Sequence, residues 1–394
     1  MSAPHAASAG RATIPRALVT TLVLAATGLF PTTSVGAVSV PPRIDADGTV
    51  DVTARMQRFV NSVPDRTTIR FPRGARYRID GTLEWVGRRG LTLEGNGAAF
   101  VAVARGEPDR AHIRLINGGR WTIRNLRIRG ANSGGGHFDP EYQWQHGVDL
   151  RGVHGVTLKR VSIADVYGDG VYIGLSTTSG RWSEDISISR SSSVRSGRMA
   201  VAVTAGRRVE VTGGTWSEPG LSTFDIEPNG APGGANRILI ENTIVGPGWR
   251  HRALDITGVG RVANIAMRNN KFTGRPLHVR VDQASGRPRN IVIEGNVSSV
   301  PFNGPDAALT FQNTDGVTVR DNTHVLEQGD PARLVAAPES TRVEISGQRV
   351  VYRGASSGTL PLFALGGAAL ALIVVMLWRG RSRFAPRAYR RQSP

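Results

Sequence analysis

One pattern recurs along this 394-residue chain and constrains its fold more than any other: apolar residue, any residue, apolar residue, in a short strand-like run. The copies are Leu91/Leu93, Trp121/Ile123, Val156/Leu158, Ile186/Ile188, Val209/Val211, Ile238/Ile240, Ile265/Met267, Ile291/Ile293, Val317/Val319 and Val343/Ile345, spaced 23 to 35 residues apart. Period-two alternation puts every second side chain on one face, and recurrence at this length marks stacked coils that bury their apolar sides only against each other. A second track interleaves with the first: Ile113-Arg114-Leu115, Val148-Asp149-Leu150, Val171-Tyr172-Ile173, Val201-Ala202-Val203, Phe224-Asp225-Ile226, Leu254-Asp255-Ile256, Leu277-His278-Val279 and Leu309-Thr310-Phe311. Two or more strands per coil, without helical periodicity or hairpin signals, predict an all-β, right-handed parallel β-helix. Leucine-rich repeats would need a leucine frame that is missing, and propellers need four-stranded blades of about 40 residues.

Asparagine follows the first track at a fixed offset. Asn96, Asn270, Asn296 and Asn322 stand three residues after the last apolar position, and Asn125 and Asn242 stand one place earlier. Asparagine tolerates left-handed turn geometry and can hydrogen-bond to a copy stacked above it, so four in one register predict a ladder.

The ends read differently. Residues 1–37 carry Arg11 and Arg16, the apolar run Ala17–Phe30 and small residues ending Val35-Gly36-Ala37. That is the order of a secretory signal with cleavage after Ala37. Leu360–Trp378 holds no charge and is about as long as a bilayer core requires. Six arginines follow it (Arg379, Arg381, Arg383, Arg387, Arg390, Arg391), which predicts a cytoplasmic tail over 379–394. The expected organisation is therefore a signal peptide (1–37), an exported β-helix (38–353), a linker (354–359) and a single membrane span (360–378). No LPxTG sorting motif precedes the span, since Leu360-Pro361 continues as Leu362-Phe363-Ala364. The chain has no cysteine, which excludes disulfides, thiolate metal sites and cysteine nucleophiles. Its net charge is +18, with only Lys159 and Lys271 as lysines, so arginine dominates.

From about Val50 to Val350 the chain resembles the pectate-lyase-like β-helix proteins, which include polygalacturonase-like hydrolases and mannuronan-epimerase-like enzymes. Asp51-Val52-Thr53, the amphipathic stretch after it and Phe71-Pro72-Arg73-Gly74-Ala75-Arg76-Tyr77 look like that superfamily's N-terminal capping helix and first strand. Leu93-Glu94-Gly95-Asn96 and Asp169-Gly170-Val171-Tyr172-Ile173 continue the likeness. The resemblance implies the fold, which hosts several chemistries. Polygalacturonase-like enzymes carry Asn-Thr-Asp, paired Asp-Asp, Gly-His-Gly and Arg-Ile-Lys; here only Asp169, in Gly168-Asp169-Gly170, has a similar context. Epimerase-like enzymes carry Asp-Pro-His-Asp, whereas Asp139-Pro140 continues as Glu141-Tyr142.

In the second track the flanking apolar residues point inward, so the middle residue points outward. The outward column reads Arg114, Asp149, Tyr172, Ala202, Asp225, Asp255, His278, Thr310. Strands about 4.8 Å apart make Asp225 and Asp255 neighbours. Glu227 shares the face of Asp225, Arg280 that of His278, and Asp169 precedes Tyr172's strand. Close carboxylates cannot ionise independently, so one keeps its proton as an acid while the other stays charged, as glycoside hydrolysis requires. Asp149, Asp169, Asp225, Glu227, Asp255 and His278 are the expected acid/base set. Tyr172, Arg252 and Arg280 would orient substrate, and Tyr142, Trp144 and His146, in the insertion Gly130–Gly147, would line the groove. Asp225, Glu227 and Asp255 could instead hold calcium, which takes carboxylate oxygens and would acidify a uronate's ring proton for β-elimination.

The expected function is a membrane-anchored, extracytoplasmic hydrolase or lyase acting on a polysaccharide, acidic ones included. A non-catalytic glycan- or envelope-binding surface protein stands beside it. Nucleic acid is not an expected partner, because an acid-rich strip is no phosphate track. A P-loop, a dinucleotide fingerprint and a G-x-S-x-G elbow are absent.

Overall fold

A computed structural model describes residues 36–230, 232–248, 252–304, 307–327 and 334–353. These form an all-β parallel solenoid of the right-handed type, about 11 turns long. The strands build sheets of 12, 10 and 11 members, and each strand pairs in parallel with its counterpart one turn away. The 12-stranded sheet is the first track: Trp121 pairs with Val156, Val156 with Ile186 and Ile186 with Val209. Its inward residues merge with those of the other sheets into one apolar column. Val343 and Ile345 keep the pattern but are 39% and 49% exposed, since no turn stacks on theirs among the described residues.

Apart from the strand at Tyr77, the 11-stranded sheet has no counterpart in the repeat pattern. Its strands are two to five residues long and mostly carry a single core residue, as in Tyr77, Phe100, Ile128, Ile163, Trp216 and Phe272. A lone apolar residue shows no alternation, which hides the strand. Stacked side by side, these residues supply Tyr77, Phe100, Trp216 and Phe272, four of the largest fully buried side chains.

The asparagines split into two columns. Asn96, Asn125 and Asn242 are left-handed, with φ of 51°, 55° and 54°. Asn270, Asn296 and Asn322 are buried and form the ladder. Asn296 Nδ2 donates to Asn322 Oδ1 (2.9 Å), and Asn270 Nδ2 donates to Asn296 Oδ1 (2.9 Å). Asn96 is a turn residue whose amide reaches Phe71 O, so the expected set of four is a ladder of three.

A second correction concerns the strand that follows Asp255's in the 10-stranded sheet. It spans Val279–Val281, so Arg280, not His278, is the register partner of Asp255. Leu277-His278-Val279 and Val279-Arg280-Val281 alternate equally well, and period two cannot detect a slip of two. Pairing with Leu254 and Ile256 decides it.

The helix Thr53–Ser62 buries Met56 and Val60. Its Gln57 side chain accepts from Glu84 N–H and donates to Glu84 O, both at 2.8 Å. It thereby satisfies the edge of the 10-stranded sheet as a neighbouring strand would. Ala37 already pairs with Thr68, so cleavage after it would start the mature chain inside the first strand. Among the described residues no helix is long and apolar enough to cross a membrane. The leader as far as residue 35, the linker, the stretch 360–378 and the basic tail lie outside the described residues.

Candidate functional site

Strand register on the 10-stranded sheet fixes one column: Glu84, Arg114, Asp149, Tyr172, Ala202, Asp225, Asp255, Arg280, Thr310. Asp149, Asp225 and Asp255 share it, as expected. They are nevertheless only 0%, 3% and 8% exposed, because neighbouring side chains roof them over.

The roof differs at each acid. Asp149 accepts from Arg114 Nε (2.8 Å) and Arg151 Nε (2.9 Å). Asp255 accepts from Arg280 Nε and Nη2 at 2.8 and 3.0 Å, and Arg252 Nη1 stands 3.6 Å away. Charge-assisted hydrogen bonds thus tie both carboxylates to neighbouring guanidinium groups. Asp225 sits differently. Burial pushes its carboxyl well above the ordinary range, and the charges of Glu227, Asp255 and Asp169 push it further against Arg198. Burial also raises Glu227, where Arg198 opposes and Asp169 and Asp255 reinforce the shift. Asp225 and Glu227 lie two residues apart on one run, so a pair of reluctant acids stands side by side.

The insertion before Asp149 brings His146 into the cluster. Its ring stacks on Tyr172, 4.7 Å between centroids and 8° between planes. His146 Nδ1 accepts the backbone N–H of Asp169 (3.0 Å), which places the proton of the neutral ring on Nε2. Burial pushes this histidine's pKa down, so the neutral ring is the folded form. Gly168 permits the approach: a Cβ there would lie 2.8 Å from His146 Nδ1. Tyr172 donates to or accepts from Thr204 Oγ1 at 2.9 Å.

Arg198 is the residue that sequence reasoning missed. It stands one turn above Gly168, whose carbonyl accepts its backbone N–H (3.1 Å). Its Nη1 is 3.6 Å from Asp169 Oδ2 and its Nη2 is 3.9 Å from Glu227 Oε2. Trp144 covers the guanidinium, 5.2 Å from ring centroid to Cζ. The only trace in the sequence is that Arg198 falls 30 residues after Gly168, the repeat of that turn.

Four buried polar atoms in this cluster lack a hydrogen-bond partner among the described residues: His146 Nε2, Asp169 Oδ2, Arg198 Nη1 and Asp225 Oδ2. Buried polar groups are normally satisfied, so a group of four here marks a polar centre. A second such group, Trp85 Nε1, Arg110 Nε and both ring nitrogens of His112, lies at the first strands of the same sheet.

Other expected members stand aside. Tyr142 packs on Tyr167 at 5.2 Å, with Arg105 over both rings, in the outer wall. His278 meets Phe302 edge-on at 5.0 Å. Calcium does not fit Asp225, Glu227 and Asp255. Both oxygens of Asp255 are taken by Arg280, and no three His, Asp or Glu side chains among the described residues are grouped to hold a metal ion.

Fold and cluster together define a parallel β-helix protein with a roofed acid–guanidinium centre on one sheet. Comparison with solved structures places that fold. The family 28 exopolygalacturonase of Yersinia enterocolitica superposes with a TM-score of 0.51 at 11% identity, over 80% of this chain and 76% of that one. The mannuronan C-5 epimerase A-module of Azotobacter vinelandii gives 0.50 at 13% identity, over 79% and 87%. The Dettilon tailspike protein gives 0.50 at 14%, over 80% and 62%. The chain thus has the β-helix fold of the pectate-lyase-like proteins, as its sequence resemblance implied. No protein-family model matches it, and no curated protein does.

Proposed function

We propose that this is an exported polysaccharide-acting β-helix protein, held at the membrane by Leu360–Trp378, whose Asp225–Glu227 pair supplies acid catalysis to glycosidic bond cleavage. The observation that carries the reading is the pair itself. Both carboxyls are pushed up by burial beside a fixed guanidinium, Arg198, under an aromatic roof. A protonated carboxyl at neutral pH is what a glycosidic leaving group needs.

Glu227, with its side chain 34% exposed, is the acid that can reach a substrate. Asp225, deeper and itself raised by burial and by the charge of Glu227, acts as a positioning residue. Arg280, with its side chain 33% exposed, would meet sugar hydroxyls or carboxylates, and the half-exposed Trp144 offers a face for a sugar ring, while Tyr172 and Arg198 support them from beneath. Hydrolysis suits the cluster better than elimination, because the raised carboxyls are donors and not bases. The fold shared with a polygalacturonase and an epimerase agrees with a polysaccharide partner.

The test is a panel of polyuronides, wall polymers and neutral glycans, read by new reducing ends and unsaturated products. Glu227→Gln should lower turnover by about 100-fold or more, with thermal unfolding little changed. Turnover that survives it removes Glu227 from the chemistry. A second reading, glycan binding without cleavage, draws on Asp149 and Asp255, whose oxygens are occupied by arginines. Tight binding with no product from any polymer would select it.

A further inference from the structure

A cavity lies away from the carboxylate centre, where the chain enters the 12-stranded sheet. It measures about 420 Å³ and is lined by Val153, His154, Arg181, Trp182, Glu184 and Arg207. None of these residues belongs to the Asp225 cluster. Strand register stacks His154, Glu184 and Arg207 on three consecutive turns. Trp182, at the end of the loop before Glu184, forms one wall.

The wall is built and held. Trp182 Nε1 donates to Pro232 O (2.6 Å), and its ring lies against Gly234, where a Cβ would come within 2.3 Å of it. Arg207 Cζ is 5.5 Å from the ring centroid. Glu184 is shared by two arginines, Arg207 at 3.4 Å and Arg208 at 2.9 Å. Arg208 stands outside the lining and is paired with Asp185 as well, so within the cavity Arg181 and Arg207 face the one carboxylate of Glu184, a single positive excess. Arg207 Nε is buried without a hydrogen-bond partner among the described residues.

We infer that this cavity is a second saccharide subsite, selective for a sugar carrying an anionic group. Its volume lies in the small-ligand range. An indole wall beside a rim of hydrogen-bonding side chains matches a sugar ring, which has apolar C–H faces and polar edges. Lining that is almost devoid of aliphatic residues argues against a greasy ligand. The positive excess selects a carboxylate or sulfate substituent, which arginine recognises in planar, two-pronged fashion. The subsite would hold a glycan chain on the solenoid apart from any cleavage.

Calorimetric titration of the full-length chain with cellobiouronic acid, cellobiose 6-sulfate and cellobiose tests this. Both anionic disaccharides should bind wild type and Glu227→Gln alike, and about ten-fold tighter than cellobiose. Trp182→Ala and Arg181→Glu should each weaken them about ten-fold. Arg181 has an exposed side chain, so its reversal reports even if Trp182→Ala fails to fold. The inference falls if neither anionic sugar binds, or if binding ignores Arg181→Glu. It falls equally if uridine monophosphate binds tighter than the sugars, which would make this a nucleotide site. Loss of binding in Glu227→Gln alone would place the sugar at the carboxylate centre and also overturn it. Loss of cleavage in that variant, with sugar binding at Trp182 intact, leaves it standing.

Discussion

Asp225 is an acid that folding makes hard to ionise, and that has a measurable sign. The folded chain holds this proton more tightly than the unfolded chain. Stability is therefore fully present below the ordinary carboxylate range and lost as pH rises through the raised folded value. Asp225→Asn removes the titration. The variant should gain about 1–3 kcal/mol over wild type at pH 8, the cost of a buried charge left unsatisfied, with the gain shrinking toward pH 4. Thermal unfolding across that range checks it, and a wild type that grows more stable as pH rises, relative to the variant, contradicts the assignment. Legibility at this scale was uneven. Asp225, Glu227 and Asp255 stood out because alternation names the residues facing out of a strand. Arg198 did not, because it sits in a corner where no period applies, and its role comes from Trp144 and Asp169 folding over it.

At the scale of elements, the ladder Asn270–Asn296–Asn322 ties three turns together at a corner. Asn296→Ala would strand Asn270 N–H, which donates to Asn296 Oδ1 (3.0 Å), and Met267 O, which accepts from Nδ2 (2.9 Å). Each buried group left unmade costs about 1–3 kcal/mol, so the variant should lose about 3 kcal/mol in urea unfolding. Asn96→Ala, at an exposed left-handed turn, should lose about 1 kcal/mol. Equal losses would mean that the ladder is no more than a row of turns. The two strand tracks were readable because each strand carries two inward apolar residues. The third sheet escaped because its strands carry one, and the His278 register slipped because period two repeats itself after two residues.

At the scale of the molecule, buried histidines oppose the buried acids. Burial pushes His112 down to about 3 and lowers His146 and His324 as well. Their contribution is present above the ordinary histidine value and is lost as pH falls below it. Asp225 and Glu227 lose theirs as pH rises, so stability should peak in between. Asp225→Asn combined with Glu227→Gln should move that peak to higher pH, which thermal unfolding between pH 4 and 9 would register. An unmoved peak would mean that the pair titrates normally. The proposed anchor is separable from the solenoid: a chain ending at Arg353 should leave the membrane fraction, whereas the full-length chain sediments with it. Retention of the truncated chain in that fraction would locate the membrane contact elsewhere.

The sequence by itself determined that this chain is a stack of parallel coils, since a recurring short alternation can be buried only by its own copies. It also determined which acids share one outward column, because register follows from the repeat. Only the tertiary structure decided that this column is roofed, which acids are tied to arginine and which keep a proton. Those properties depend on side chains from neighbouring turns and from an insertion closing over the strand, at distances no linear spacing encodes.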